Sequence, residues 1–156
     1  MAGRVAARLA ELGIVLPDAP APAANYVPFV RSGDLVFVSG QVPFEDGQLA
    51  FQGTVGDELT LEQGQAAARA CGLGVLAQVA SACEGDLDRV RRCVQLQGFV
   101  RCTAEFDQQP AVINAASDQM VEVFGDAGRH ARFAVGTHAL PFGVAVEIAA
   151  IFEIGD

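Results

Sequence analysis

Apolar residues recur at helical spacing in three stretches of the chain. Val5, Leu9 and Leu12 do so in RVAARLAELG, with Arg4, Arg8 and Glu11 interspersed, which predicts a short amphipathic helix ended at Gly13. Ala66, Ala70, Leu73, Ala77 and Ala80 keep one stripe through QAAARACGLGVLAQVASAC, and Thr60 with Gln63 three positions on is a capping-box signature at its start. Val112, Ala116, Met120 and Val123 form the third stripe, behind Pro110 and ahead of Gly125. Gly64, Gly72 and Gly74 weaken the second helix intrinsically by about 1 kcal/mol each relative to Ala. Close packing of helix on sheet explains them better than a phosphate loop, because CGLG lies inside a helical stripe and is not GxGxxG.

Between these stretches the period changes to two. YVPFVRSGDLVFVSGQV (26–42) splits at Arg31–Asp34, where Ser-Gly-Asp predicts a hairpin turn, and Pro28 assigns the first piece to an edge or bulge. Residues 43–58 are rich in Gly, Asp, Glu and Gln and read as a surface excursion with a turn at EDG (45–47) and a short strand near Leu49–Phe51. In LDRVRRCVQLQGFVRC (87–102), Val94, Leu96, Gly98 and Val100 alternate with Cys93, Gln95, Gln97 and Phe99, the mark of a long strand with one apolar and one more polar face. HARFAVGTHALPFGVAVEIAAIFEI (130–154) supplies two further strands joined through Leu-Pro-Phe-Gly at 140–143.

This order of elements is that of an α+β chain, a mostly β layer with two long helices covering one face. The other face needs cover too. An oligomer is the economical source, because Gln95, Gln97 and Phe99 alternate on a surface both helices cannot reach. At 156 residues and 51% hydrophobic content the chain makes one domain, 1–156, with 1–16 a helical extension tethered by PDAPAPAAN (17–25).

Charge and cysteine usage narrow the function classes. All ten basic residues are Arg and the net charge is −9, so the surface repels polyanions on average and nucleic acid is a poor candidate partner. Cys71, Cys83, Cys93 and Cys102 lack CxxC spacing and read as small buried hydrophobes in a reducing compartment, with no zinc site. The N-terminus lacks a secretory h-region and no apolar run reaches membrane-span length, so a cytoplasmic protein with no membrane partner is expected.

Two charges stand out against apolar strands. Arg132 sits in HARFAVG and Glu147 in GVAVEIAAIFEI. By strand parity Arg132 shares its side with Ala134 and Gly136, opposite Phe133 and Val135, while Glu147 lies off the face of Val146 and Ile148. If the last two strands pair antiparallel, bulky face to bulky face, both charges fall on one face beside small residues. Two readings stand: a cross-strand ion pair, or a site in which Arg132 grips a carboxylate bidentately and Glu147 handles a water. His130 and His138, near strand ends and without metal or triad spacing, fall outside this set.

Several blocks in order resemble the YjgF/RidA family, often called endoribonuclease L-PSP: Tyr26 thirteen residues before Ser39, SGQVP (39–43), AR (131–132) and LPFGVAVEIAAI (140–151). The resemblance covers about residues 24–156 and implies a chorismate-mutase-like fold, with a homotrimer whose sheets form a central barrel and whose sites lie between subunits. It implies hydrolysis of 2-imino and 2-enamino acids to 2-oxo acids and ammonia, with neither metal nor organic cofactor. Position by position, Arg132 would hold the carboxylate, the Ala134 carbonyl would accept from the imine nitrogen, Glu147 would position water, and Tyr26 and Ser39 would line the cleft. Turn bonding also accounts for Ser39. Asn114 is either an exposed polar helix residue or a further contact from the second long helix. The chain departs from imine-hydrolysing members at Phe133 and Ala134, where they usually have Ser and Cys, and this side branch is also longer, around 103–120 and at the N-terminus. Phe133 beside Arg132 is therefore expected to narrow or redirect the cleft. A trimer that only binds small carboxylates such as 2-oxo acids is the alternative, and a ribonuclease the weakest reading.

Overall fold

The computed structural model describes residues 3–19 and 24–156, so part of the 17–25 tether lies outside the described residues. Its strands are β1 (Phe29–Ser32), β2 (Leu35–Gln41), β3 (Phe44–Glu45), β4 (Gln48–Leu49), β5 (Val90–Arg101), β6 (Ala131–Thr137) and β7 (Val146–Ile154). Five of them form one sheet in the order β1-β2-β7-β5-β6. β3 and β4 pair only with each other, across a turn in which Asp46 and Gly47 both take the left-handed conformation that a tight hairpin requires. The helices are α1 (Arg4–Glu11), α2 (Leu61–Ala82) and α3 (Gln109–Phe124). Among the described residues, no helix is long and apolar enough to cross a membrane.

The helices begin and pack as their sequences require. Thr60 Oγ1 accepts from the Gln63 amide at 3.1 Å while Gln63 Oε1 accepts from the Thr60 amide at 2.9 Å, which completes the capping box of α2. Gly72 and Gly64 let α2 approach α3: a Cβ on Gly72 would collide with Gln119 Oε1, and one on Gly64 would come 3.3 Å from Val112 Cγ2. Of the three glycines, Gly74 alone meets the sheet as expected, against Gln41, while Gly72 serves helix-on-helix packing and Gly64 faces Val112 and Val55. Leu76, Leu96, Ile113, Met120, Ile148 and Phe152 are buried in the layer between helices and sheet. The short α1 lacks a cap of its own; Asp88 supplies one, its carboxylate accepting from the Arg4 and Val5 amides at 2.8 Å each.

Two expectations need correction. The last two strands do not pair: β6 runs parallel to β5, and β5 lies between β6 and β7, antiparallel to β7. The reason is the α3 crossover, which makes β5-α3-β6 a strand-helix-strand unit and so returns β6 beside β5 in the same direction. The 140–143 segment then carries the chain past β5 rather than closing a hairpin. The alternation in β5 also breaks. Cys93 pairs with Phe152 and Gln95 with Ile151, so Val94 is an extra residue in a bulge, and Cys93 faces the core together with Leu96.

All four cysteines are free, and Cys71, Cys83 and Cys93 are buried. Burial pushes the Cys93 thiol up to about 12. That is the behaviour of small hydrophobes, not nucleophiles.

Candidate functional site

Register fixes where the two charges point. Arg132 pairs with Leu96 and Leu96 with Ala150, both buried beneath the helices, so Arg132 projects on the helix side. Glu147 pairs with Phe99 and lies an odd number of residues from Ala150, so it projects on the open side. Within one chain the charges occupy opposite faces. This corrects the expectation of a shared face, and no carboxylate among the described residues forms an ion pair with Arg132. The cross-strand ion pair is thereby removed as an intrachain reading.

The surroundings of Glu147 are built by β2. Val38 pairs with Ala150 and Gln41 with Ile148, so Ser39 and Gly40 form a bulge facing β7. A Cβ on Gly40 would overlap Glu147 Oε2, and the absence of that carbon gives the carboxylate its seat. Half-burial there pushes the Glu147 carboxyl above its ordinary range. Ser39 Oγ donates to the Val27 carbonyl at 2.8 Å and the Ser39 amide donates to the Pro28 carbonyl at 3.0 Å. These bonds fix the head of β1 against the bulge, with the exposed Tyr26 one residue before the first of them. Ser39, Gly40, Glu147 and the backbone beside Tyr26 thus make one group.

Arg132 belongs to a second group, built on α3. Its Nη1 donates to Ser117 Oγ at 3.0 Å and its Nη2 to the Pro110 carbonyl at 3.4 Å. Two of the guanidinium's five donors are taken, and among the described residues the other three have no partner and can serve a ligand. Asn114, exposed and midway between Pro110 and Ser117, lies on the same stripe of α3. β6 is an edge strand. The Thr137 carbonyl accepts from Cys102 at the end of β5, and carbonyls alternate along a strand, so those of Arg132, Ala134 and Gly136 point off the unpaired edge. Phe133 points away from Arg132 onto the open face, as strand parity expects, edge-on to Phe99 with ring centroids 5.4 Å apart.

Sequence reasoning missed three contributors. Gly40 had a legible signal, since a glycine inside a strand marks a bulge or a close approach. Ser117 had none, because only the parallel placement of β6 brings α3 to Arg132; His130, two residues before Arg132, lacks metal or triad spacing and so falls outside the set read from sequence.

The open face joins the groups' surroundings. Phe37, Phe133 and Val135 are 42%, 37% and 42% exposed on it, beside Ile151 and Phe99. Gln95 and Gln97 stand between them on the same face, and exposed apolar side chains around such a pair, next to an unpaired strand edge, are the form of a surface that another chain covers.

Comparison with known proteins places this architecture. The profile of the family described as "YjgF/chorismate mutase-like, putative endoribonuclease" matches residues 6–152. Protein TCP17 of Trypanosoma cruzi is 52% identical over 155 residues, covering 99% of this chain and 96% of that protein. The crystal structure of Atu1372 from Agrobacterium tumefaciens, a protein of unknown function, is similar with a TM-score of 0.91 and 49% identity over 97% of this chain and 92% of that one. That coverage leaves too few residues out to omit α1. TdcF of E. coli, solved with bound serine, is more distant: 25% identity, a TM-score of 0.61, and coverage of 88% of this chain and 94% of that one. By sequence profile, fold and relatives, this chain belongs to the YjgF/RidA family.

Proposed function

We propose that the protein is a homotrimeric hydrolase that deaminates reactive 2-imino or 2-enamino acids in clefts between its subunits. The observation that carries this reading is the division of the site: the Arg132 group ends at a bare strand edge and the Glu147 group at a bare apolar face, and one chain cannot join them. A neighbouring copy that covers the face and edge supplies to each group the half it lacks.

The chemistry follows from the free groups. The open donors of Arg132 take the substrate carboxylate, a planar fork on a planar anion. The Ala134 carbonyl, on the same strand edge, accepts from the imine nitrogen. Glu147 of an adjacent copy orients a water toward C2, with Tyr26 and Ser39 along the wall and Asn114 beside the carboxylate. Water adds to the C=N bond, the tetrahedral adduct expels ammonia, and a 2-oxo acid remains. No metal or organic cofactor enters, since the imine carbon is already electrophilic and needs chiefly orientation and one water. The serine bound to TdcF is a small amino carboxylate, the class this reading requires. The protein acts in the cytoplasm on this reading, where such intermediates arise.

The test uses 2-aminoacrylate generated in a coupled assay. Wild-type protein shortens its lifetime, and Arg132→Ala and Glu147→Gln each abolish the effect. Mixing the two variants after subunit exchange restores about a quarter of the activity, because one in four randomly assembled interfaces carries both intact halves. Ligand-dependent stabilisation by 2-oxo acids without turnover would replace the hydrolase with a binding trimer in the same cleft. No restoration on mixing would overturn the shared site.

A further inference from the structure

Three hydrogen bonds leading from Arg132 run in a single sense. His130 Nδ1 lies 2.6 Å from the Gly128 carbonyl and its Nε2 lies 2.9 Å from Ser117 Oγ. A carbonyl can only accept, so Nδ1 carries the ring proton. In the neutral ring Nε2 is then an acceptor, and the Ser117 hydroxyl donates to it. The lone pairs of Ser117 Oγ face Arg132 Nη1, 3.0 Å away. The donor chain therefore reads Arg132 to Ser117 to His130 to Gly128.

Its far end is anchored. Gly128 is buried in the turn that follows α3, and a Cβ there would collide with the Met120 carbonyl, so the accepting carbonyl is held where the turn meets the helix. Its near end is a guanidinium on an edge strand, a long side chain with several rotamers to lose on binding. Pro110 and Ser117 stand two turns apart on α3 and each hold one of its terminal nitrogens. That fixes the plane of the guanidinium, not only its position.

We propose that Ser117 and His130 are positioning residues for Arg132: the relay from Gly128 fixes the serine hydroxyl as an acceptor toward Nη1 and so presents the free donors in one orientation to an incoming carboxylate. This rests on the carboxylate role proposed for Arg132. His130 sets which way the Ser117 hydroxyl points, and Ser117 sets the guanidinium plane. Neither touches the substrate.

Pyruvate binding and ring NMR test it together on the intact wild-type protein and its variants. Ser117→Ala should weaken pyruvate binding roughly tenfold, the scale of one hydrogen bond to a charged group, and Ser117→Thr should recover most of it. With 2-aminoacrylate, KM should rise while kcat holds. The His130 ring, distinguished from His138 with a His138→Gln variant, should show the Nδ1–H tautomer in wild type. In Ser117→Ala the ring should keep that tautomer, because the Gly128 carbonyl fixes it, while the Arg132 guanidinium signals should broaden. An Nε2–H tautomer in wild type, or pyruvate affinity unchanged in Ser117→Ala, would overturn the relay. If wild type binds no 2-oxo acid, the carboxylate reading falls by itself; the ring tautomer and guanidinium signals, read without ligand, still decide whether the relay exists.

Discussion

The two faces of the sheet both carry large apolar side chains, and these have opposite fates. On the helix side Leu96, Ile148 and Phe152 are wholly buried by α2 and α3; on the other side Phe37, Phe133 and Val135 stand open. Each face carries one of the two charges that matter. Arg132, on the covered side, is held at both terminal nitrogens by α3 of its own chain. Glu147, on the open side, is seated only by the gap that Gly40 leaves. On the proposed reading, one half of the site is finished by folding and the other is completed by a neighbouring copy.

The largest way to break this contrast is to keep the open face from being covered. Phe37 and Ile151 are register partners there. Changing both to Asn removes apolar surface without adding charge. In light scattering the assembly should fall from about three chain masses to one, 16.2 kDa, and all turnover should vanish with it. Val15→Glu, on the extension and 88% exposed, should leave the mass unchanged.

Next in size is the division of labour between the charges. Arg132→Ala should weaken 2-oxo acid binding about 100-fold, the order expected for losing a bidentate charged contact. Arg132→Lys should recover little, because an ammonium cannot present a fork. Glu147→Gln should leave binding nearly intact and remove turnover, as calorimetry and the coupled assay would separately show. Loss of binding in both variants would mean that the two groups do not divide binding from water handling.

The contrast also explains what could be read in the sequence. Helix stripes, caps and strand parity are local, and they located α2, α3, β5, β6 and β7 as well as the opposed sides of Arg132 and Phe133. Pairing is not local. The proximity of the last two strands in sequence suggested a hairpin, whereas the crossover through α3 put β5 between them, and that one change moved Arg132 to the other face from Glu147. The bulges at Val94 and at Ser39–Gly40 were hidden for the same reason, since each exists only against β7. Family likeness is what proposes the residues of the site, and the chain's own periodicity could not say how they lie relative to one another.

A smaller effect sharpens the Glu147 half. Gly40→Ala adds a methyl group where the carboxylate lies, and the flexible Glu147 side chain can yield, since the backbone at Gly40 does not require positive φ. Turnover should fall roughly tenfold, as a displaced water-orienting group predicts, with the melting midpoint almost unchanged. A large stability loss with unaltered turnover would show that the gap serves packing instead.

The smallest effect reports most directly on whether the halves meet. In the single chain, burial raises the Glu147 carboxyl above its ordinary range. The folded state then binds more protons than the unfolded state across that window, so stability is full below the ordinary range and falls as pH rises through the raised value. In the Phe37→Asn/Ile151→Asn background, Glu147→Gln should thus raise the melting midpoint at pH 7, and leave it unchanged once both states are protonated, below about pH 4. In the assembled protein an adjacent Arg132 favours the carboxylate and opposes the effect of burial, so the gain should shrink or reverse. An equal gain in both backgrounds would place the neighbour's guanidinium out of reach of Glu147, and the shared cleft would have to be abandoned.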